Sequence, residues 1–118
     1  MRMWMVNPDV LCKQHLLGEH VECHMFAGTL NRKLQVYGYV ENNLFEPHSL
    51  RSRHDALAVE IEKRGGAHRS PLQDFSISYL PQEVQDARVD KEAALNELLR
   101  RCAKCKQRYA AQQGKENS

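Results

Sequence analysis

The sequence predicts an all-α fold: a single compact domain of three main helices, with an irregular connection between helices one and two. Three observations carry that prediction. Apolar residues recur at spacings of three and four in three separate stretches. Each stretch is bracketed by residues that start or stop helices. The chain has 118 residues and 42% hydrophobic content, which suits one domain around one modest core.

The first helix is expected over residues 7 to about 30. Asn7 can cap it, Pro8 suits the first helical position, and Asp9 favours the positive end of the helix dipole. Val10, Leu17, Val21, Phe26 and Leu30 supply an apolar side. Gly18 either is a tolerated glycine, at a cost of about 1 kcal/mol, or admits another group close to the backbone. Residues 31–47 are open between a short strand over 34–40 and an irregular connection, with turns at Asn42-Asn43 and Pro47. The second helix is expected from a Ser49 cap to residue 64. Its stripe is Leu50, Leu57 and Ile61 with Val59 alongside, and Gly65-Gly66 stops it. Residues 67–80 read as loop. Pro81 opens a third helix, one long amphipathic element to about residue 111, with a stripe running from Val84 through Leu98, Cys102 and Cys105 to Tyr109. The helical domain is therefore expected over residues 1–113, and 114–118 as a disordered tail.

Charged residues make up 27% of the chain and the net charge is +2, so composition by itself does not argue for nucleic acid. The basic residues Arg100, Arg101, Lys104, Lys106 and Arg108 nevertheless crowd one segment. No apolar run approaches bilayer length, and the apolar opening over residues 1–6 breaks at Asn7-Pro8, too short for a secretory signal. The expected location is cytoplasmic, with the four cysteines as reduced thiols.

Chemistry is expected on the first helix. His15, Glu19 and Glu22 are spaced by four and three and share one face, with Cys12 at its edge. Such a face is either a solvated surface or a functional site. The amino terminus is the second asset. An α-amino group ordinarily titrates near about 7.7–8, is partly neutral at physiological pH, and can attack carbon as a nucleophile. Arg2 is large enough for Met1 to be retained, and only a few residues separate that amine from Glu19 and Glu22. A third expectation is a structural zinc site: Cys102-x-x-Cys105 has ligand spacing, and His20 with His24 would complete four ligands if helices one and three lie side by side. The same two cysteines also fit the apolar stripe as small hydrophobes.

The stretch Gln14-His15-Leu16-Leu17-Gly18-Glu19-His20-Val21-Glu22 resembles the first-helix motif of the pyrimidine-dimer DNA glycosylases of phage endonuclease V type. Leu50-Arg51-Ser52-Arg53, Lys63-Arg64-Gly65 and Gln85-Asp86-Ala87-Arg88-Val89-Asp90 resemble later segments of that family in the right order, and Met1-Arg2-Met3-Trp4 resembles the opening of bacterial members. The resemblance implies three helices and a DNA N-glycosylase/AP lyase acting on a damaged or modified pyrimidine. The N-terminal amine, here Met1, attacks the sugar C1′ and forms a Schiff base, and the essential glutamate corresponds to Glu22. His15 and Glu19 would support them, and Arg2, Arg51, Arg53 and Arg88 would contact the phosphates of double-stranded DNA. No cofactor or metal is implied. The phage prototype carries arginines where this chain has Val21 and Met25. The alternative is a non-cutting module on the same fold that binds a nucleotide or nucleic acid.

Overall fold

Asn7 starts a turn, but not the first helix. Its side-chain oxygen accepts the Asp9 N–H at 3.0 Å and closes a 3-10 turn over Pro8–Val10. Leu11 and Cys12 then run extended, which sends Leu11 wholly into the core. Helix α1 begins only after them and spans Lys13–Asn31. The computed structural model describes residues 1–68 and 70–116, with six α-helices and no strand among the described residues. The all-α expectation holds, with six helices in place of three.

The buried side of α1 is the expected one at Phe26 and Leu30 but not at Leu17 and Val21. Leu16, Cys23, Phe26, Ala27 and Leu30 face the core together with Glu19, whereas Leu17 and Val21 are exposed. Apolar residues surround this helix, so their spacing alone does not select a face. The choice follows from Glu19, whose buried carboxylate finds an arginine on the packed side. Gly18 sits at an open position: a Cβ added there meets nothing within 4 Å, so no close approach requires the glycine.

Residues 34–40 do not form a strand. A short helix α2, Tyr37–Glu41, satisfies the backbone locally where a lone strand would leave its N–H and C=O groups without a partner. Tyr39 meets the edge of Phe26, which stacks on Phe45 at 4.0 Å between ring centroids. A 3-10 turn over Pro47–Ser49 leads into α3, Leu50–Lys63, the main partner of α1. Leu50, Leu57 and Ile61 are buried as expected, and Val59 is exposed. The stop at Gly65-Gly66 is a Schellman-type cap: Gly65 has φ +89°, its N–H reaches Glu62 O, and the Gly66 N–H reaches Ile61 O at 2.9 Å.

The expected third helix is three helices. These are α4, Gln82–Gln85; α5, Lys91–Arg101; and α6, Ala103–Glu116. Between α4 and α5, side chains from elsewhere take the backbone. The buried Glu46 accepts the Val89 N–H at 2.9 Å, and Asn43 and Asp90 bond reciprocally, side chain to backbone. Asp90 then caps α5 through the Ala93 N–H. Between α5 and α6, Cys102 is extended (φ −128°, ψ 108°) and redirects the chain. Helix α6 continues through residues 114–116, which were expected in the tail; Asn117 and Ser118 lie outside the described residues. One core joins Met3, Leu11, Phe26, Leu57, Leu98 and Cys105, so the amino-terminal segment and the last helices close on the same centre. Among the described residues no helix is long and apolar enough to cross a membrane.

Candidate functional site

The amino-terminal segment lies along the side of α1. The Met3 N–H is held by Leu44 O at 2.7 Å, Met3 and Trp4 are buried, and Met5, at φ +58°, turns the chain towards the Pro8 turn. A cleft of about 310 Å³ opens between this segment and the helix, lined by Arg2, Trp4, Gln14, His15, Gly18, Glu19 and Glu22. A larger cleft of about 480 Å³ lies between Lys13, Ile61, Arg64 and Arg108. It is lined by none of the expected catalytic residues, whereas the smaller one gathers His15, Glu19, Glu22 and the residue next to Met1.

The two glutamates of that cleft are in different states. Glu19 is fully buried and paired with the equally buried Arg53, whose Nε and Nη2 donate to its two oxygens at 2.5 and 2.9 Å. The third nitrogen of Arg53 donates to Val6 O at 2.6 Å. Arg53, expected on DNA phosphates, is therefore turned inwards and joins α3 to α1 and the amino-terminal segment. Glu22 is half-buried at the cleft wall and has no such partner among the described residues.

Arg2 is fixed from two sides. Its Nη1 donates to Glu97 at 2.9 Å, and its guanidinium lies 3.5 Å above the Trp4 ring. The hydrogen bond from Arg2 holds the Glu97 carboxyl below its usual value. The Nε and Nη2 atoms of Arg2 are buried without a hydrogen-bond partner among the described residues. Arg51 is about half exposed and rests on Gln73 O and near Asp74, and Arg88 is exposed.

His15 serves a second grouping. Its Nδ1 lies 3.2 Å from Cys12 Sγ and 3.6 Å from Cys105 Sγ, and Cys12 Sγ is 3.9 Å from Cys102 Sγ. Burial pushes the Cys105 thiol up to about 12. Burial acts the same way on Cys102, but hydrogen bonds from Cys105 and Cys12 outweigh it and leave that thiol below its usual value. The expected partners of Cys102 and Cys105, His20 and His24, are elsewhere. They lie about 140° and more round α1 from His15, by the 100° step of a helix, and face His54 on α3 and His68 in the loop after it. His24 Nε2 and His54 Nε2 are 3.2 Å apart. Burial, and then the neighbouring rings, lower His20 to about 4 and lower His24 as well. Sequence spacing identified Cys102 with Cys105 and His20 with His24, but joined them to each other; their partners here, Cys12 with His15 and His54 with His68, arrive from distant segments.

A family model described as pyrimidine dimer DNA glycosylase matches residues 1–74, more than half of the chain. The chain belongs to this family. No curated protein and no solved structure matches it significantly. The glycosylase-family match spans the whole candidate cleft, Glu19 with Arg53, and all four clustered histidines, and it ends before Arg88, Cys102 and Cys105.

Proposed function

We propose that this glycosylase-family chain is a DNA N-glycosylase with AP lyase activity on a damaged or modified pyrimidine, with the amine of Met1 as nucleophile and Glu22 as the catalytic carboxylate. The observation that carries the reading is that the residue next to Met1 and the carboxylate of Glu22 line one cleft. In the reaction the amine bonds to the sugar C1′ and the C1′–N bond to the base breaks, the base leaving with the electron pair and picking up a proton. Opening of the sugar ring gives the imine, and loss of a C2′ proton expels the 3′ phosphate. Glu22 stabilises the cationic sugar and relays these protons. Glu19 is committed to Arg53 and acts by holding α1 in place. Arg2 lines the cleft and brings a positive charge to it, and Arg51 and Arg88 are the exposed candidates for the duplex backbone. The target nucleotide has to leave the stack to reach so small a cleft.

Borohydride trapping on a duplex with an abasic site tests this. The expected result is a covalent adduct on the Met1 peptide, reduced by roughly 10²–10⁴-fold in Glu22→Gln. No adduct from protein whose intact mass shows a free amino terminus rejects it. A nucleotide-binding module is the second reading. It is favoured by the exposed Val21 and Met25 beside the cleft, where the phage type has arginines. Thermal stabilisation by a nucleotide, without trapping, would decide for it.

A further inference from the structure

We propose that the chain binds two transition-metal ions: a structural zinc held by Cys12, His15, Cys102 and Cys105, and a second ion held by His20, His24, His54 and His68. Neither site depends on the glycosylase reading.

In the first site the four ligand atoms lie within 4.8 Å of one another. A zinc ion with bonds of about 2.3 Å to sulfur and about 2.0–2.1 Å to nitrogen spans a tetrahedron whose edges are about 3.8 Å between sulfurs and about 3.6 Å from sulfur to nitrogen. The distances here are 3.9 Å for Cys12 to Cys102, and 3.2 and 3.6 Å from His15 to Cys12 and Cys105. The backbone is shaped to this end. Cys12 stands at the start of α1 without capping it, and Cys102 is extended between two helices that would otherwise be continuous. Two backbone N–H groups point at sulfur: Cys12 to Cys105 at 3.2 Å and Cys105 to Cys102 at 3.4 Å, as thiolate ligands require of their surroundings. All four cysteines of the chain are free, so no disulfide competes. Three thiolates and one imidazole, with every position filled by the protein, match structural zinc. The ion would fasten the start of α6 to the start of α1.

The second site rests on a separate observation. Four imidazoles converge from α1, α3 and the following loop, with ligand nitrogens within 4.8 Å of one another. The 3.2 Å between His24 Nε2 and His54 Nε2 is close to the edge of about 3.4 Å that two nitrogens on one tetrahedral zinc would show. His54 Nδ1 bonds Asp55 at 2.9 Å, which puts its proton there and leaves the Nε2 lone pair towards the cluster. The Nε2 atoms of His20 and His68 are buried without a hydrogen-bond partner among the described residues. An ion would supply the partner that the His20 and His68 nitrogens lack. An all-nitrogen set selects zinc, copper or nickel over magnesium and calcium, which need oxygen ligands.

The test is metal content of the untagged full chain after equilibration with zinc and removal of excess. Two zinc per chain are expected, with one retained by the double variant Cys102→Ser, Cys105→Ser and one by His54→Ala, His68→Ala. Wild-type protein far below one zinc per chain overturns both sites, and a variant that keeps the full content overturns the site it removes. Cobalt titration of the wild-type chain covers variants that fail to fold. A thiolate-to-cobalt charge-transfer band should saturate at one equivalent while the visible ligand-field bands grow to two. Absence of the charge-transfer band overturns the cysteine site, and saturation of all bands at one equivalent overturns the histidine site.

Discussion

Glu19-His20 on α1 faces Arg53-His54 on α3, and the two adjacent contacts are built in opposite ways. Glu19 and Arg53 bury a full charge pair in which both carboxylate oxygens and every guanidinium nitrogen are bonded. One residue along, His20 and His54 enter a group of four rings, two of which have a ring nitrogen with no partner among the described residues. The ion pair is complete as it stands and needs no ligand to explain it. The histidine group is incomplete by the same criterion, because a buried polar atom without a partner costs free energy. Local chemistry, rather than burial or position in the fold, separates a structural contact from a candidate binding site.

That contrast can be broken at several points. The largest effect is expected from Arg53→Met, which strands a buried carboxylate and should lower stability by about 3–5 kcal/mol in denaturant unfolding. Replacing both partners, Glu19→Leu with Arg53→Met, should restore most of it, since a well-packed apolar pair of similar volume is often neutral or better. A double variant as unstable as the single one would show that the pair does more than satisfy itself.

A smaller effect is expected from a less deeply buried ion pair, Arg2 with Glu97. The folded-state value of Glu97 is depressed by the Arg2 hydrogen bond, so the pair adds stability above the ordinary carboxyl value of 4.5. That contribution is lost as pH falls through the depressed value. Glu97→Gln should therefore be less stable than wild type at neutral pH, by at most about 1 kcal/mol, and the gap should close as the Glu97 carboxylate is protonated in acid. A gap independent of pH would show that the carboxylate charge is not what fixes Arg2.

The smallest effect is expected at His68. In the presence of chelator, His68→Leu should change stability by less than about 1 kcal/mol, because the ring takes an unsatisfied nitrogen away with it. Without chelator the wild type should gain more stability from added zinc than the variant, which keeps only the cysteine site. A large loss in chelator would make the four rings a packing unit in their own right.

How much of this was legible beforehand differs from element to element. The signals at Asn7 and Gly65-Gly66 mark a real turn and a real cap, because capping is a local bond between neighbours, whereas Ser49 stands at the start of α3 with its hydroxyl donated to Glu46 and not capping the helix. Helix continuity was not legible. Cys102 fits the amphipathic stripe of a single long helix, and only Cys12 and His15, some ninety positions away in the chain, give it a reason to be extended. The first half of α1 turns a different face to the core than its apolar spacing indicates for a similar reason: a buried Glu19 looks solvated until Arg53 is placed opposite it. Arg53 in turn reads as a phosphate contact in sequence, because nothing local distinguishes an inward arginine from an outward one.

By itself the sequence determined the helical class, the approximate places where helices begin and end, and the presence of a glutamate-bearing first helix of pyrimidine-dimer glycosylase type. These rest on periodicity, capping and a contiguous motif, all of which act over one or two turns. The tertiary structure alone decided which glutamate is committed to the fold, which arginine faces inwards, and how eight cysteines and histidines divide into two groups with Cys12 and His15 in one and His54 and His68 in the other. Those outcomes depend on which distant segments meet, and a side chain's partner across a packed interface leaves no trace in its neighbours along the chain.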